Sequence, residues 1–192
     1  HRVDRRQRQM CIRDRSYTDN LRLKSADEII HILADVVSKN GALMLNVSPM
    51  ANGNIPENQQ EVLLTIGQWL KTNGEAIYGS RPWTVFGEGP TKQEKSGMFL
   101  DKITYTARDV RFTKKGNTIY AIVLGWPGEN IPITLTSFTT EILGNNIPEI
   151  KKISILGYKN KVPFTIDANG LYFRTPNQKI DDKAFVIKIE TK

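Results

Sequence analysis

The sequence predicts an α/β unit of helix, strand and helix, followed by an all-β antiparallel sandwich. Three observations predict this order. Apolar residues recur at helical spacing on both sides of a short, largely apolar run between residues 25 and 73. Beyond residue 104, seven β-prone runs alternate with turn residues. Between these regions GEGPTKQEKSG has no period and is rich in Gly, Lys and Glu, which predicts an exposed connection.

The first helix is predicted to begin at Ser25, which forms the capping-box pattern S-x-x-E with Glu28. Its apolar face comprises Ile29, Ile32, Leu33, Val36 and Val37. Asn40 and Gly41 end the helix, because both tolerate the left-handed backbone conformation that turns a chain out of a helix.

The run 42–47 is short and apolar on both faces, which is typical of a parallel strand covered on both sides. Alternation places Ala42, Met44 and Asn46 on one face. The bulkier Leu43, Leu45 and Val47 lie on the other face, where we expect helices. Asn46 is therefore expected near the C-terminal mouth of the α/β unit.

The second helix follows the loop SPMANGN, which is rich in turn residues. Pro56 suits a helix start, where its missing N–H costs no hydrogen bond, and Asn73-Gly74 ends the helix. Its apolar face comprises Val62, Leu63, Ile66, Trp69 and Leu70.

The sandwich strands are predicted at 110–113, 118–126, 131–138, 151–156, 162–166, 171–174 and 184–189. Hairpin turns are predicted at 115–117 and 168–170, where Gly and Asn allow positive φ angles. The predicted divisions are a leader over 1–15, the α/β part over 16–84, a connection over 85–104 and the sandwich over 105–192.

Charge is concentrated in the leader HRVDRRQRQMCIRDR. Its six Arg and two Asp supply +4 of the formal net charge of +7. The leader has almost no apolar residues, so we expect it to be disordered, and RQMCIRDR resembles a translated sequencing adaptor. A basic arm that binds nucleic acid would flank a nucleic-acid-binding fold, and no downstream segment indicates one. We therefore expect no nucleic-acid partner. No apolar run approaches the roughly 20 residues needed to span a bilayer, so we expect no membrane partner either. The single Cys11 is uninformative about the compartment.

Three motifs carry a family resemblance: NG-x-L-x-LN-x-x-P from Asn40, NG-x-IPE from Asn52 and WLK-x-NGEAIYG-x-RPW from Trp69. With YTARDVRFTKKGNTIYAIVLGWP further on, they resemble bacterial α-L-fucosidases of glycoside hydrolase family 29. The resemblance implies the last helix, strand and helix of a (β/α)8-type barrel, followed by the C-terminal β-sandwich domain. Ser48 and Met50 depart from the pattern, since many relatives have Gly and a basic residue there.

By resemblance, the parent enzyme is a retaining, exo-acting hydrolase that releases terminal L-fucose from glycans, needs no metal or organic cofactor, and is periplasmic or secreted. Retaining glycosidases need two carboxyl groups about 5–5.5 Å apart. The acidic residues of the α/β part are interpreted as helix caps and solvated faces; they are Asp27, Glu28, Asp35, Glu57 and Glu61. The family's Asp nucleophile and Glu acid/base have no matching positions here, so we assign no catalytic residue and expect this chain alone to be inactive.

Three residues are candidates for sugar contact. Asn46 and Met50 are placed near the substrate, although a loop-bracing Asn and simple Met packing are the ordinary alternatives. Trp126 is a candidate glycan contact, with capping of the sandwich core as its alternative. We interpret Trp69 as helix core, Trp83 as packing at the junction of the two parts, and His31 as packing rather than as a metal ligand.

A second hypothesis is a stand-alone carbohydrate-binding β-sandwich, with Trp126 and Tyr120 as its platform. Against it stands the strand at 42–47, whose two apolar faces require parallel neighbours. If the barrel partners are absent, the helices and this strand are expected to expose apolar faces, and to aggregate, dock irregularly or fray.

Overall fold

The computed structural model describes residues 7–10, 23–91 and 103–192. The first helix, α1, spans Ala26–Ser38, and its capping box is present. The Glu28 N–H donates to Ser25 Oγ at 3.2 Å, and the Ser25 N–H donates to Glu28 Oε2 at 2.9 Å. Asn40 adopts a φ of 62° just beyond the helix. The predicted start and stop signals of α1 are therefore confirmed.

Strand β2 covers Ala42–Leu45 and pairs in parallel with β1, Gln7–Met10. The prediction of a disordered leader over 1–15 is therefore wrong at these four residues. A parallel strand must satisfy its backbone N–H and C=O groups on a neighbour, and β1 supplies those groups to one edge of β2. The other residues of the predicted leader lie outside the described part of the chain.

The two faces of β2 differ as the alternation predicts. Leu43 and Leu45 pack against the cluster formed around the helices. Met44 points to the other face and keeps 40% of its surface exposed. The bulky face of β2 thus meets the helices, and the face carrying Met44 is open.

Helix α2 spans Glu57–Asn73, directly after Pro56, and a 3-10 turn at Gly74–Ala76 continues it. Its buried residues are Gln59, Ile66, Trp69 and Asn73. Val62 and Leu70 pack half-buried against the same cluster. The buried side of α2 therefore includes the polar Gln59, which the apolar pattern in the sequence did not indicate.

Two antiparallel sheets follow. The five-stranded sheet has the order β3 (Arg81–Glu88), β4 (Val110–Lys115), β5 (Thr118–Val123), β10 (Phe185–Thr191) and β7 (Ile150–Ile155). The three-stranded sheet has the order β6 (Pro132–Leu135), β9 (Gly170–Arg174) and β8 (Phe164–Asp167). A strand lies in each of the seven predicted runs. After β6 the chain leaves the sheet in a 3-10 turn, Thr136–Phe138, and a short helix α3, Thr140–Leu143.

Strand β3 was not predicted, and residues 85–88 of the predicted connection belong to it. Pro82 and Gly87 obscure the strand pattern in the sequence, but β3 lies at the sheet edge, where proline is tolerated. The placement of Trp83 at the junction is also wrong. Trp83 lies inside the sandwich, where its ring stacks on Phe138 at a centroid distance of 4.8 Å.

The central strands of the five-stranded sheet are buried on both faces. Along β5, Ile119, Ala121 and Val123 face the three-stranded sheet and the core between the two sheets. Tyr120 and Ile122 face the opposite way, towards α1 and α2. The near-continuous burial of β5 follows from this position between two layers.

Part of the apolar surface that was expected to be exposed on the helices is covered, whereas Met44 of β2 and Leu64 of α2 remain exposed. Ile29, Ile30 and Ala34 of α1 and Ile66 and Trp69 of α2 pack in one cluster on the outer face of the five-stranded sheet. The sheet residues of this cluster are Tyr120, Ile122, Leu124, Ala184 and Val186. The sandwich thus covers one side of the two helices, which the sequence pattern had assigned to missing barrel neighbours.

Candidate functional site

The loop after β2 carries two of the three predicted site residues. Asn46 follows the last residue of β2 and is half-buried. Its pocket lies where α1, β2 and α2 meet, and its lining residues are Leu23, Lys24, Ile29, Leu45, Asn46, Val47, Gln59, Val62 and Leu63. Asn46, Lys24 and Gln59 are the polar members of this largely apolar lining. The pocket is therefore a feature of the C-terminal end of β2, where the sequence placed the mouth.

Gln59 braces this loop, a role that the sequence interpretation had assigned to Asn46 as its ordinary alternative. The Gln59 side chain is 4% exposed, as is Ser48 opposite it. The Ser48 N–H donates to Gln59 Oε1 at 2.9 Å, and Gln59 Nε2 donates to the Ser48 carbonyl at 3.2 Å. Both polar atoms of one side-chain amide thus bind both backbone groups of one loop residue. A polar residue on the inward side of the first turn of α2 was the available signal.

Met50 lies at a tight turn in the same loop and is half-buried. Its N–H donates to the Asn54 carbonyl at 2.8 Å, and its carbonyl accepts from the Gly53 N–H at 2.9 Å. Gly53 has a φ of 85°, which suits glycine. The backbone of the turn is held by its own hydrogen bonds, so it presents Met50 in a defined position.

Trp126 lies apart from this loop, against the sandwich core. It is half-buried, and its ring meets Phe185 edge-on at 5.2 Å between centroids. Tyr120, the other member of the suggested glycan platform, is 2% exposed and faces the helices. Its hydroxyl donates to Glu75 Oε1 at 2.6 Å. Trp126 and Tyr120 therefore lie on opposite faces of the five-stranded sheet and form no shared platform.

Burial raises the pKa of the Tyr120 hydroxyl, and its hydrogen bond to Glu75 adds to the rise. Glu75 shows the opposite shift. Its hydrogen bonds with Lys188 and Tyr120 lower the pKa of its carboxyl group. At neutral pH the Tyr120 phenol is therefore neutral and the Glu75 carboxylate is ionised. The two groups are hydrogen-bonded to each other.

Asp35 is not a solvated residue of a helix face, so its sequence interpretation was wrong. It is 2% exposed, and its Oδ1 accepts from Arg111 Nε of β4 at 2.7 Å and from Lys39 at 2.8 Å. Burial alone would raise the pKa of Asp35, but the hydrogen bonds from Lys39 and Arg111 outweigh it and hold the pKa below its ordinary value. A buried carboxylate needs such partners, and Arg111 reaches it from 76 residues away.

Asp109 and Glu88 are further carboxylates held by structural hydrogen bonds. Asp109 is fully buried and accepts bonds from the N–H and hydroxyl groups of both Thr91 and Thr106, at 2.8–3.0 Å. Glu88 accepts from the Ser137 N–H at 2.6 Å and from Thr136. Both carboxylates bind backbone and hydroxyl groups of neighbouring loops in the sandwich. Their oxygens are therefore engaged in structural hydrogen bonds.

Two polar contacts fasten the helices to the chain just before β10. His31 Nε2 lies 2.7 Å from the Lys183 carbonyl oxygen, and Trp69 Nε1–H donates to the Ala184 carbonyl at 2.7 Å. His31 also meets Tyr105 edge-on. The packing role expected for His31 and the core role expected for Trp69 are both confirmed.

Within residues 23–91 and 103–192, no group of three or more His, Cys, Asp or Glu side chains is arranged to hold a metal ion. The helices in this part of the chain are too short or too polar to cross a bilayer.

Two family models match consecutive parts of this architecture. A model described as α-L-fucosidase matches residues 5–75, which include α1, β2 and α2. A model described as the α-L-fucosidase C-terminal domain matches residues 101–190, which include β4 to β9 and most of β10. Fold and matches together define the architecture as a barrel remnant joined to a β-sandwich. The particular family that both segments match is that of the α-L-fucosidases.

Individual relatives agree with the two models. The chain is 35% identical to the tissue α-L-fucosidase of Homo sapiens over 153 residues, covering 78% of this chain and 27% of that protein. It is 35% identical to the α-L-fucosidase of Dictyostelium discoideum over 136 residues, covering 71% of this chain and 25% of that protein. The chain thus spans about a quarter of the length of these curated relatives.

Solved structures show the same relation. α-L-Fucosidase isoenzyme 1 from Paenibacillus thiaminolyticus matches with a TM-score of 0.67 at 28% identity, covering 92% of this chain and 37% of that chain. The α-fucosidase of Thermotoga maritima, solved with a mechanism-based inhibitor, matches with a TM-score of 0.68 at 30% identity, covering 91% and 37%. The arrangement of barrel remnant and sandwich is therefore shared with larger fucosidases.

Proposed function

We propose that this chain is part of a retaining, exo-acting α-L-fucosidase that hydrolyses terminal α-L-fucosyl linkages in glycans. The observation that carries the proposal is that two fucosidase models match consecutive segments of one chain, over 5–75 and 101–190. The Thermotoga maritima relative has been solved with fucose, which supports a fucosylated glycan as the substrate.

The chain by itself is expected to be inactive. Catalytic groups of barrel enzymes come from the C-terminal ends of several strands, and the described residues include two parallel strands, β1 and β2. Asp35, Asp109 and Glu88 are occupied by internal partners, and Glu57 and Glu61 are exposed on α2. In this proposal the nucleophile and the acid/base lie in the part of the enzyme upstream of this chain.

The test is hydrolysis of a chromogenic α-L-fucoside by this chain and by a form extended upstream to the length of the relatives. Turnover by the extended form alone is the expected result. Turnover by neither form would contradict the proposal, and turnover by the short chain would contradict its inactivity.

Several finer assignments belong to the same proposal. Asn46 and Met50 would lie beside the substrate, and Trp126 would contact glycan. The division at residue 104, the bacterial origin and the adaptor-like origin of residues 1–15 stay predictions, whereas the division at residue 84 falls inside β3. Alanine variants of Asn46, Met50 and Trp126 in the extended form test the first two assignments through KM on the chromogenic fucoside.

A further inference from the structure

We propose that Gln59 is a positioning residue for the loop that follows β2, and thereby for Asn46 and Met50. The inference rests on the proposed function, because it concerns the substrate side of that enzyme. It is carried by the two hydrogen bonds between the Gln59 amide and Ser48, at 2.9 and 3.2 Å. Gln59 is not a catalytic residue in this proposal, since it acts through the loop.

The geometry is that of a two-point clamp. A side-chain amide carries an acceptor oxygen and a donor NH₂ on the same carbon, so it can bind the N–H and the C=O of one residue at once. Gln59 fits this pattern on Ser48, and both residues are 4% exposed. A buried pair of backbone groups must find partners, so the loop is held in the one position where Gln59 reaches it.

The clamp lies between the two predicted substrate residues. Asn46 precedes Ser48 by two residues, and Met50 follows it by two. Asn46 and Gln59 also share the same pocket lining. In barrels, the loops at the C-terminal ends of the strands form the active site. Fixing Ser48 therefore fixes both neighbours relative to α2.

Gln60 provides a matched control. It is the adjacent residue on the same helical turn, but its side chain points outward and is exposed. Its Nε2 donates to the Ile55 carbonyl at 2.6 Å, at the far end of the loop. Replacing Gln60 removes a hydrogen bond from the same loop without touching Ser48.

The first arm of the experiment uses this chain. Amide hydrogen exchange at Ser48 is measured by NMR in the parent chain, in Gln59→Met and in Gln60→Met. We expect exchange at Ser48 to accelerate at least about tenfold in Gln59→Met, because the acceptor is lost, and to change less than about twofold in Gln60→Met. If Gln59→Met does not fold, Gln59→Asn keeps the amide but shortens its reach by one methylene, so that it no longer meets Ser48, and the same acceleration is expected. Unchanged Ser48 exchange in the folded variant would overturn the clamp.

The second arm uses the upstream-extended enzyme with a chromogenic α-L-fucoside. Loss of folded enzyme lowers kcat and leaves KM unchanged, whereas a displaced substrate loop raises KM. We expect Gln59→Met to raise KM about tenfold, within the range that small misplacements of binding groups cause, and Gln60→Met to leave KM within about twofold. An unchanged KM in Gln59→Met would overturn the positioning role. An inactive extended parent enzyme would instead contradict the proposed function, and the exchange arm would still decide whether Gln59 holds the loop.

Discussion

Arg111 joins two parts of the chain through a single buried carboxylate. Its guanidinium binds Asp35 of α1 at 2.7 Å and lies over the Tyr105 ring at 5.0 Å. Arginine suits this position because its planar guanidinium can stack on an aromatic ring and donate hydrogen bonds from its edge at the same time. The ion pair and the ring contact together fix α1 against β4.

Breaking this pair is expected to be costly. Arg111→Met leaves the buried Asp35 with Lys39 alone, so we expect the free energy of unfolding to fall by about 3 kcal/mol. Urea unfolding at neutral pH measures the change. Arg108→Met is the control, because Arg108 is exposed and should cost less than about 0.5 kcal/mol. Equal effects of the two variants would show that the buried pair adds no stability.

Stability should also depend on acid through Asp35. The hydrogen bonds from Lys39 and Arg111 outweigh burial and hold the folded-state pKa of Asp35 below its ordinary value, so its ionised form is favoured in the native state. Its contribution is therefore present above about pH 4 and is lost as pH falls through the folded pKa. The urea midpoint should fall less between pH 7 and pH 3 in Asp35→Asn than in the unsubstituted chain. Asp27 lies on the exposed side of α1, so Asp27→Asn should show the same drop in urea midpoint between pH 7 and pH 3 as the unsubstituted chain.

At Gly89, a neighbouring residue leaves no room for a side chain. Its φ is 131°, and an added Cβ would lie 2.5 Å from Asp109 Oδ1. Gly116 has a φ of 57° with open space around it. We expect Gly116→Ala to cost about 1 kcal/mol from backbone strain, and Gly89→Ala to cost more because it also displaces Asp109 from its threonine partners. Thermal unfolding compares the two, and equal costs would contradict the contact.

At the scale of elements, α2 is docked on the sheet through Trp69. The indole is 3% exposed, and its N–H reaches the Ala184 carbonyl just before β10. The Trp69 side chain therefore contributes both a buried ring and the hydrogen bond that the Ala184 carbonyl accepts. Elsewhere on α2, Leu64 is 70% exposed and contributes little to this docking.

Trp69→Phe should weaken the docking of α2. The variant loses the N–H donor and part of the ring, so we expect a loss of about 2 kcal/mol. Leu64→Ala should cost less than about 0.5 kcal/mol. Chemical unfolding monitored by far-UV circular dichroism measures both values. A loss for Trp69→Phe as small as that for Leu64→Ala would show that α2 is held mainly by other contacts.

At the scale of the whole molecule, the five-stranded sheet is shared by two cores. One core lies between the sheets and includes Trp83, Phe112 and Phe138; the other lies between the sheet and the helices. Because β5 and β10 contribute to both, loss of one core exposes the other. The helices and the sandwich should therefore unfold as one cooperative unit.

Coincident transitions test this expectation. Helix content at 222 nm should report mainly α1 and α2, and near-UV circular dichroism should report the packed rings of the sandwich. We expect one urea midpoint by both probes. An earlier loss of helix signal would show that the α/β part detaches from a sandwich that remains folded.

Much of the local structure was predictable, and the tertiary contacts were not. Ser25 and Glu28 form the predicted capping box because both partners lie within one turn. Strand β3 was missed because Pro82 and Gly87 obscure its pattern and its identity as a strand depends on β4. Of the site, Asn46 and Met50 were selected by their place after a strand, whereas Gln59 was missed because its partner Ser48 lies 11 residues away.

The sequence by itself determined the two main helices and their ends, strand β2 between them, the seven predicted sandwich strands and the family resemblance. These depend on periodicity, turn residues and short motifs, all of which operate over a few neighbouring residues. Only the tertiary structure decided that Asp35 is buried, that Trp83 lies within the sandwich and that the helices rest on the five-stranded sheet. The physical reason is that burial and ion pairing depend on which distant surfaces meet, and alternation alone does not specify the partner of either face.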